Sequence, residues 1–276
     1  MSFALTELSN IYPPEEIKAI IYLLFETYLG VGRAQYLLNP ERGMSESDLL
    51  KLNFIIKKLK LGKPVQYIIG HTWFLGLRLL VNEHTLIPRP ETEELVQLII
   101  SKEKKRPPLK ILDIGTGTAC IPIGLAHSMP QHEYFGIDFK KEIIDLAQLN
   151  IDRNHSNIQL IQLDILKDNT DHLPQFDVII SNPPYVLESE KEQMHENVVR
   201  YEPASALYVP NQSPLMFYER IMIFSQTHLK KGGKLYFEVN ENYGEALADS
   251  LSKMKFKNIQ LIRDFRDRNR FVFCEK

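Results

Sequence analysis

Leu109-Lys110-Ile111-Leu112-Asp113-Ile114 runs directly into Gly115-Thr116-Gly117-Thr118-Ala119-Cys120 and from there into the apolar segment Ile121 to Ser128. The spacing predicts a short buried strand, a tight turn and a helix. Gly115 and Gly117 let the backbone turn sharply and come close to a ligand where a Cβ would obstruct it. Cys120 stands where the dinucleotide fingerprint has its third glycine, which argues against nicotinamide or flavin binding. Outward from this unit, Glu133 to Asp138 reads as a second strand ending in an acid. A carboxylate at that tip can accept both hydroxyls of a ribose, or it can cap the helix that starts near Lys140. Ile158 to Leu163 reads as a third strand, with Asp164 at its tip either facing the same crevice or solvated in a loop.

The fourth strand, Phe176-Asp177-Val178-Ile179-Ile180-Ser181, leads into Asn182-Pro183-Pro184-Tyr185. Proline lacks an N–H and has a fixed φ, so Pro183 and Pro184 stiffen the chain and leave carbonyl oxygens free to accept. Asn182 adds a side-chain carbonyl and Tyr185 a flat face. The set suits a planar NH2 group that donates to the acceptors and stacks on the ring. The plain alternative is a strand-ending turn.

A chain of 276 residues that is 44% hydrophobic can bury a large core and is long enough for two domains. No stretch approaches the roughly 20 apolar residues of a membrane span, and Met1-Ser2-Phe3-Ala4 lacks a signal-peptide layout, so a cytoplasmic location is expected. Two cysteines are too few for a disulfide framework, and the scattered histidines lack ligand spacing, so no metal is expected. A net charge of −2 offers no global attraction to phosphate, so stable nucleic-acid binding is not expected.

Towards the N-terminus, Pro13-Pro14 begins a helix with apolar residues from Ile17 to Tyr28 at helical spacing, ended by Gly30. Ser45-Glu46-Ser47-Asp48 caps a second helix that runs to Gly62. These stripes read as the core of a small helical domain. Trp73 to Val81 reads as a hairpin turning near Gly76. Ile87-Pro88-Arg89-Pro90-Glu91-Thr92-Glu93-Glu94 is a rigid, charged approach to a helix over Leu95 to Ile100, whose leading acids complement its dipole. At the other end, Ser213-Pro214 starts a helix, Gly232-Gly233 turns the chain into a strand over 234–239, and Ile259 to Phe265 with Arg270 to Cys274 forms a closing hairpin. The expected organisation is helical residues 1–69, a hairpin linker at 70–87 and an α/β domain at 88–276.

Taken together these blocks resemble the PrmC/HemK family of peptide chain release factor N5-glutamine methyltransferases. The resemblance rests on the helical lead domain, Gly62 to Gly70, Leu86 to Glu93, the glycine turn, Asn182-Pro183-Pro184-Tyr185 and Arg200-Tyr201-Glu202-Pro203. It implies a Rossmann-like class I fold dependent on S-adenosyl-L-methionine, with S-adenosyl-L-homocysteine as product. It also implies methylation of the Gly-Gly-Gln glutamine of class I release factors, recognised through the helical domain. Cofactor contacts are implied for Arg89, Asp113, Gly115, Thr116, Gly117, Thr118, Ala119, Asp138, Asp164, Ile165 and Asn182. Asn182, Pro183, Pro184 and Tyr185 are implied to bind the amide, with Asn182, Pro183 and Tyr185 serving the chemistry. Ala119 replaces a frequent glycine and Ile165 an aromatic residue, so the adenine pocket differs in detail. The tetrapeptide is shared with DNA and RNA exocyclic-amine methyltransferases, which, with a non-catalytic docking protein, form the alternatives.

Overall fold

A computed structural model describes residues 2–38 and 44–276. The chain divides into two compact units, Met1–His71 with His195–Tyr201, and Thr72–Met194 with Glu202–Lys276. In the first unit the two capped stripes are helices Pro14–Leu29 and Glu46–Lys60. Gly30 closes the former at φ 62°, a left-handed conformation that glycine adopts without penalty, and the Ser45 hydroxyl caps the latter by accepting from the Asp48 amide. Ile17, Ile21, Leu24, Ile56 and Leu59 bury the facing sides of these helices. Segment 195–201 joins this unit through Tyr201, whose hydroxyl donates to the Leu61 carbonyl at 2.8 Å.

In the second unit, among the described residues, the main sheet holds seven strands: β1 Lys110–Ile114, β2 Glu133–Asp138, β3 Ile158–Gln162, β4 Phe176–Ser181, β5 Leu229–Glu238, β6 Lys257–Arg263 and β7 Asn269–Glu275. Their order across the sheet is β6-β7-β5-β4-β1-β2-β3. β7 lies antiparallel between β6 and β5, and the other pairings are parallel. Parallel strands buried on both faces need apolar residues at successive positions, and here the two-residue side-chain period sorts them. Leu112, Phe135, Ile179, Leu235 and Val272 face one side, where helices Met216–His228 and Gly244–Lys253 pack. Ile111, Tyr134, Val178, Tyr236 and Phe273 face the other, against helices Pro90–Glu103, Cys120–Ser128 and Lys141–Arg153.

The expected turn at Gly232-Gly233 is instead a wide bulge inside β5. Phe176 pairs with Leu229 and Val178 with Lys234, so residues 230–233 loop out. Gly232 takes φ 72°, which favours glycine, and a Cβ on Gly233 would lie 2.8 Å from the Lys230 carbonyl oxygen, which only glycine avoids. The His71–Phe74 and Leu77–Leu80 strands form a hairpin whose corner residues, Leu75 and Gly76, have φ of 49° and 76°. Two left-handed residues in succession match the right-handed strand twist, and the compact division places this hairpin from Thr72 onward with the sheet.

Candidate active site

Strand order reverses between β1 and β4, so the connections leaving their carboxyl ends diverge and open a crevice there. The Ser181 hydroxyl donates to the Ile114 carbonyl at 2.7 Å and ties the two strand ends together. From β1 the chain enters the glycine turn. The Gly115 and Thr116 amides both donate to the Ile137 carbonyl of β2 at 2.9 Å, which anchors the turn to the neighbouring strand. Gly115 and Gly117 have φ of 76° and 54°, and a Cβ on either would project into open space. Ala119 also lies at φ 61°, fully buried, just before the helix. That left-handed alanine carries the strain, on the order of 1–2 kcal/mol, that a glycine would avoid.

Asp138, at the tip of β2, accepts from the Gly117 amide through Oδ2 and from its neighbour Phe139 through Oδ1, both at 2.9 Å. Two of the four lone-pair positions of its carboxylate remain for hydroxyls in the cavity. Asn150 braces the turn from behind by donating to the Thr118 and Leu80 carbonyls at 3.0 Å, while its oxygen accepts from the Leu80 amide.

The resulting cavity, about 400 Å³, is of a size that takes a nucleoside-bearing ligand. Among the residues with implied roles, Arg89, Gly115, Thr116, Gly117, Thr118, Asp138, Asp164, Ile165, Asn182, Pro183 and Pro184 line it. Asp113, Ala119 and Tyr185 are not among its lining residues. The Arg89 guanidinium is paired at 2.5 Å with buried Glu202, whose other oxygen accepts from the Ile87 amide. That carboxylate thus clamps the 87–89 strap beside the cavity. Asp164 is held in its own loop, accepting from the Leu166 amide at 2.9 Å and pairing with Lys167. Tyr185 packs on the core, and its hydroxyl donates to Glu238 at 3.1 Å.

Among the described residues neither carboxyl oxygen of buried Asp113 meets a well-formed hydrogen-bond partner; burial pushes its pKa up to about 7, with the neighbouring Thr116 hydroxyl opposing the rise and Asp138 adding to it. Burial also raises Glu238 to about 7. Folded values above the unfolded ones mean that the associated stability is complete below about pH 4 and is lost as pH rises through 7. Without ligands the protein is therefore expected to lose stability between pH 5 and 8, on the order of 2 kcal/mol for each group. Urea denaturation of the wild type and Asp113→Asn at both pH values checks this, and an equally steep loss in the variant would exclude Asp113 as a source. The Cys120 thiol lines the cavity but is pushed up to about 12 by burial, so it stays protonated at neutral pH.

Two residues that sequence patterns did not single out join the site. Thr92, in the first turn of helix Pro90–Glu103, donates to Glu238 at 2.7 Å and accepts the Asn182 amide at 3.1 Å. Glu238 was visible as the one acid within the apolar run Leu235 to Val239, a position where a charge needs partners. Glu93 of the same turn accepts from the Leu75 amide at the hairpin corner.

Two family models match the chain: the PrmC N-terminal domain over residues 3–70 and the methyltransferase small domain over residues 91–205. A release factor glutamine methyltransferase of Flavobacterium psychrophilum is 41% identical, covering 96% of this chain and 94% of the relative. The chain belongs to the release factor glutamine methyltransferase family. A second member, from Bacteroides thetaiotaomicron, is 36% identical over 98% of this chain and 96% of its own. Among solved structures, a methyltransferase from Pyrococcus furiosus superposes with a TM-score of 0.54 at 17% identity, covering 84% of this chain and 99% of that one, which bears on the fold alone. The fold is thus the Rossmann-like methyltransferase architecture preceded by a helical region, and the chain is a methyltransferase. No helix among the described residues is long and apolar enough to cross a membrane.

Proposed function

We propose that this protein methylates the side-chain amide nitrogen of the glutamine in the Gly-Gly-Gln loop of class I peptide chain release factors, using S-adenosyl-L-methionine. One observation carries the reading: Asn182 and Pro183, at the end of β4, open into the same cavity as the glycine turn of β1 and Asp138 of β2. The open cradle at Gly115 and Gly117, and the lone pairs left on Asp138, fit an adenosyl cofactor. Asp113 would support the turn from beneath, and Asp164 and Ile165 would border the base. When bound, this cofactor supplies an electrophilic methyl on a sulfonium and leaves as S-adenosyl-L-homocysteine.

An amide nitrogen is a weak nucleophile because its lone pair is delocalised into the carbonyl, so positioning must supply much of the rate. Asn182 Oδ1 and the Pro183 carbonyl accept the two amide protons in this reading. Neither oxygen has a donor of its own among the described residues. Pro184 stiffens the segment, and Tyr185 anchors it from the core through Glu238. Arg89, through Glu202, holds the strap beside the cavity. The helical unit is read as the part that recognises the release factor, in a cytoplasmic setting.

Radiolabelled cofactor incubated separately with an unmethylated release factor, DNA and RNA tests the reading. Label is expected on the release factor alone. Label on a nucleic acid instead would favour the exocyclic-amine alternative, and no label anywhere the docking one.

A further inference from the structure

The Ile87 to Glu94 block is rigid and charged, yet Arg89 and Glu93 are spent on Glu202 and on the hairpin corner. Thr92 is different, because its hydroxyl stands between a buried carboxylate and the amide at the site. Glu238 is 1% exposed, and its two oxygens accept from Thr92 and Tyr185. Above about pH 7 Glu238 is ionised and can only accept. The single hydroxyl proton of Thr92 is therefore committed to Glu238, and its oxygen can offer only lone pairs to Asn182. Of the two ends of the Asn182 carboxamide, only the NH2 can satisfy that contact, so Oδ1 is left for the cavity.

We propose that Thr92 is a positioning residue which, held by Glu238, locks the Asn182 carboxamide with its oxygen toward the cavity and so selects a donor NH2 over an acceptor at the methylated position. The inference rests on the reading that Asn182 meets the substrate amide. Were the hydroxyl proton of Thr92 free to turn towards Asn182, the carboxamide could rotate and present its own NH2. Two NH2 groups would then oppose each other, while a glutamate side chain would become acceptable. The lock explains why a threonine in the first turn of a helix belongs to the site without touching the reacting atoms.

Thr92→Val keeps the shape and removes the hydroxyl, and Thr92→Ser restores it. At pH 8, Thr92→Val is expected to lower turnover on a release factor about tenfold, the scale of one lost positioning hydrogen bond. Affinity for S-adenosyl-L-homocysteine should change much less than turnover, although Thr92 borders the same cavity. Because a glutamate has no amide nitrogen to methylate, the preference is read as binding affinity with S-adenosyl-L-homocysteine present, and the ratio for a Gly-Gly-Gln over a Gly-Gly-Glu release factor should narrow at least threefold. Thr92→Ser should recover most of both. A role in packing alone would weaken the two release factors equally, and that result, or an unchanged preference, would overturn the proposal.

The side-chain amide resonances of Asn182, recorded by NMR with S-adenosyl-L-homocysteine bound, read the lock without any release factor. They should move in Thr92→Val and return in Thr92→Ser, and resonances that stay put in Thr92→Val overturn the lock. Failure of the wild type to methylate any release factor would instead strike the functional reading, while the resonances still decide the role of Thr92.

Discussion

Asn182→Ala is expected to bind S-adenosyl-L-methionine nearly as the wild type does and to lose at least about a hundredfold in single-turnover rate. In the proposed reading the substitution removes the side-chain carbonyl offered to the substrate while leaving the glycine turn and Asp138 untouched, because among the described residues the Asn182 side chain is bonded only to Thr92. With one acceptor gone, the amide keeps only the Pro183 carbonyl and can pivot about it. An unrestrained nitrogen spends little time aligned with its electrophile, so the loss should fall on turnover more than on affinity for the release factor. A single-turnover assay at saturating cofactor measures it. Wild-type rates in this variant would remove Asn182 from the chemistry.

Asp138→Ala should act on the other substrate, weakening the cofactor by roughly tenfold to a hundredfold, the range expected for losing charge-assisted hydrogen bonds. Its carboxylate does two things at once. It holds the Gly117 amide of the turn, and in the proposed reading its remaining lone pairs accept ribose hydroxyls. Asp138→Asn retains an acceptor for the Gly117 amide but loses the charge, so it should fall between the two. Calorimetric titration of the cofactor separates them. Equal affinity across all three proteins would mean that the acid serves only to cap the chain at Phe139.

What could be read without coordinates was local. The strand, turn and helix at 109–128, the acid at the tip of β2 and the proline-stiffened end of β4 each declare themselves within a few residues, because burial and backbone geometry impose periodicity and glycine directly. The relay from Glu238 through Thr92 to Asn182 could not be read that way. Its members come from β5, the first turn of a helix and the end of β4, and only the sheet order brings them together. Tyr185 shows the same limit. An aromatic ring beside an amide pocket suggests stacking, but the fold turns its hydroxyl to Glu238 and its ring to the core. Helix Gly244–Lys253 leaves little trace in the sequence for a different reason: Leu247 and Leu251 are the large apolar residues of its buried face, and small and polar residues fill the rest. At Ala119 the sequence shows a departure from glycine, while the cost, a left-handed φ at a fully buried site, is visible only in the backbone.

The most direct measurement is a crystal structure of the protein with S-adenosyl-L-homocysteine and a Gly-Gly-Gln release factor. The glutamine NH2 should lie within hydrogen-bonding distance, about 3 Å, of both Asn182 Oδ1 and the Pro183 carbonyl, with the Asn182 NH2 still on Thr92. A glutamine seated elsewhere, or an Asn182 oxygen turned to Thr92 with its NH2 facing the substrate, would contradict it.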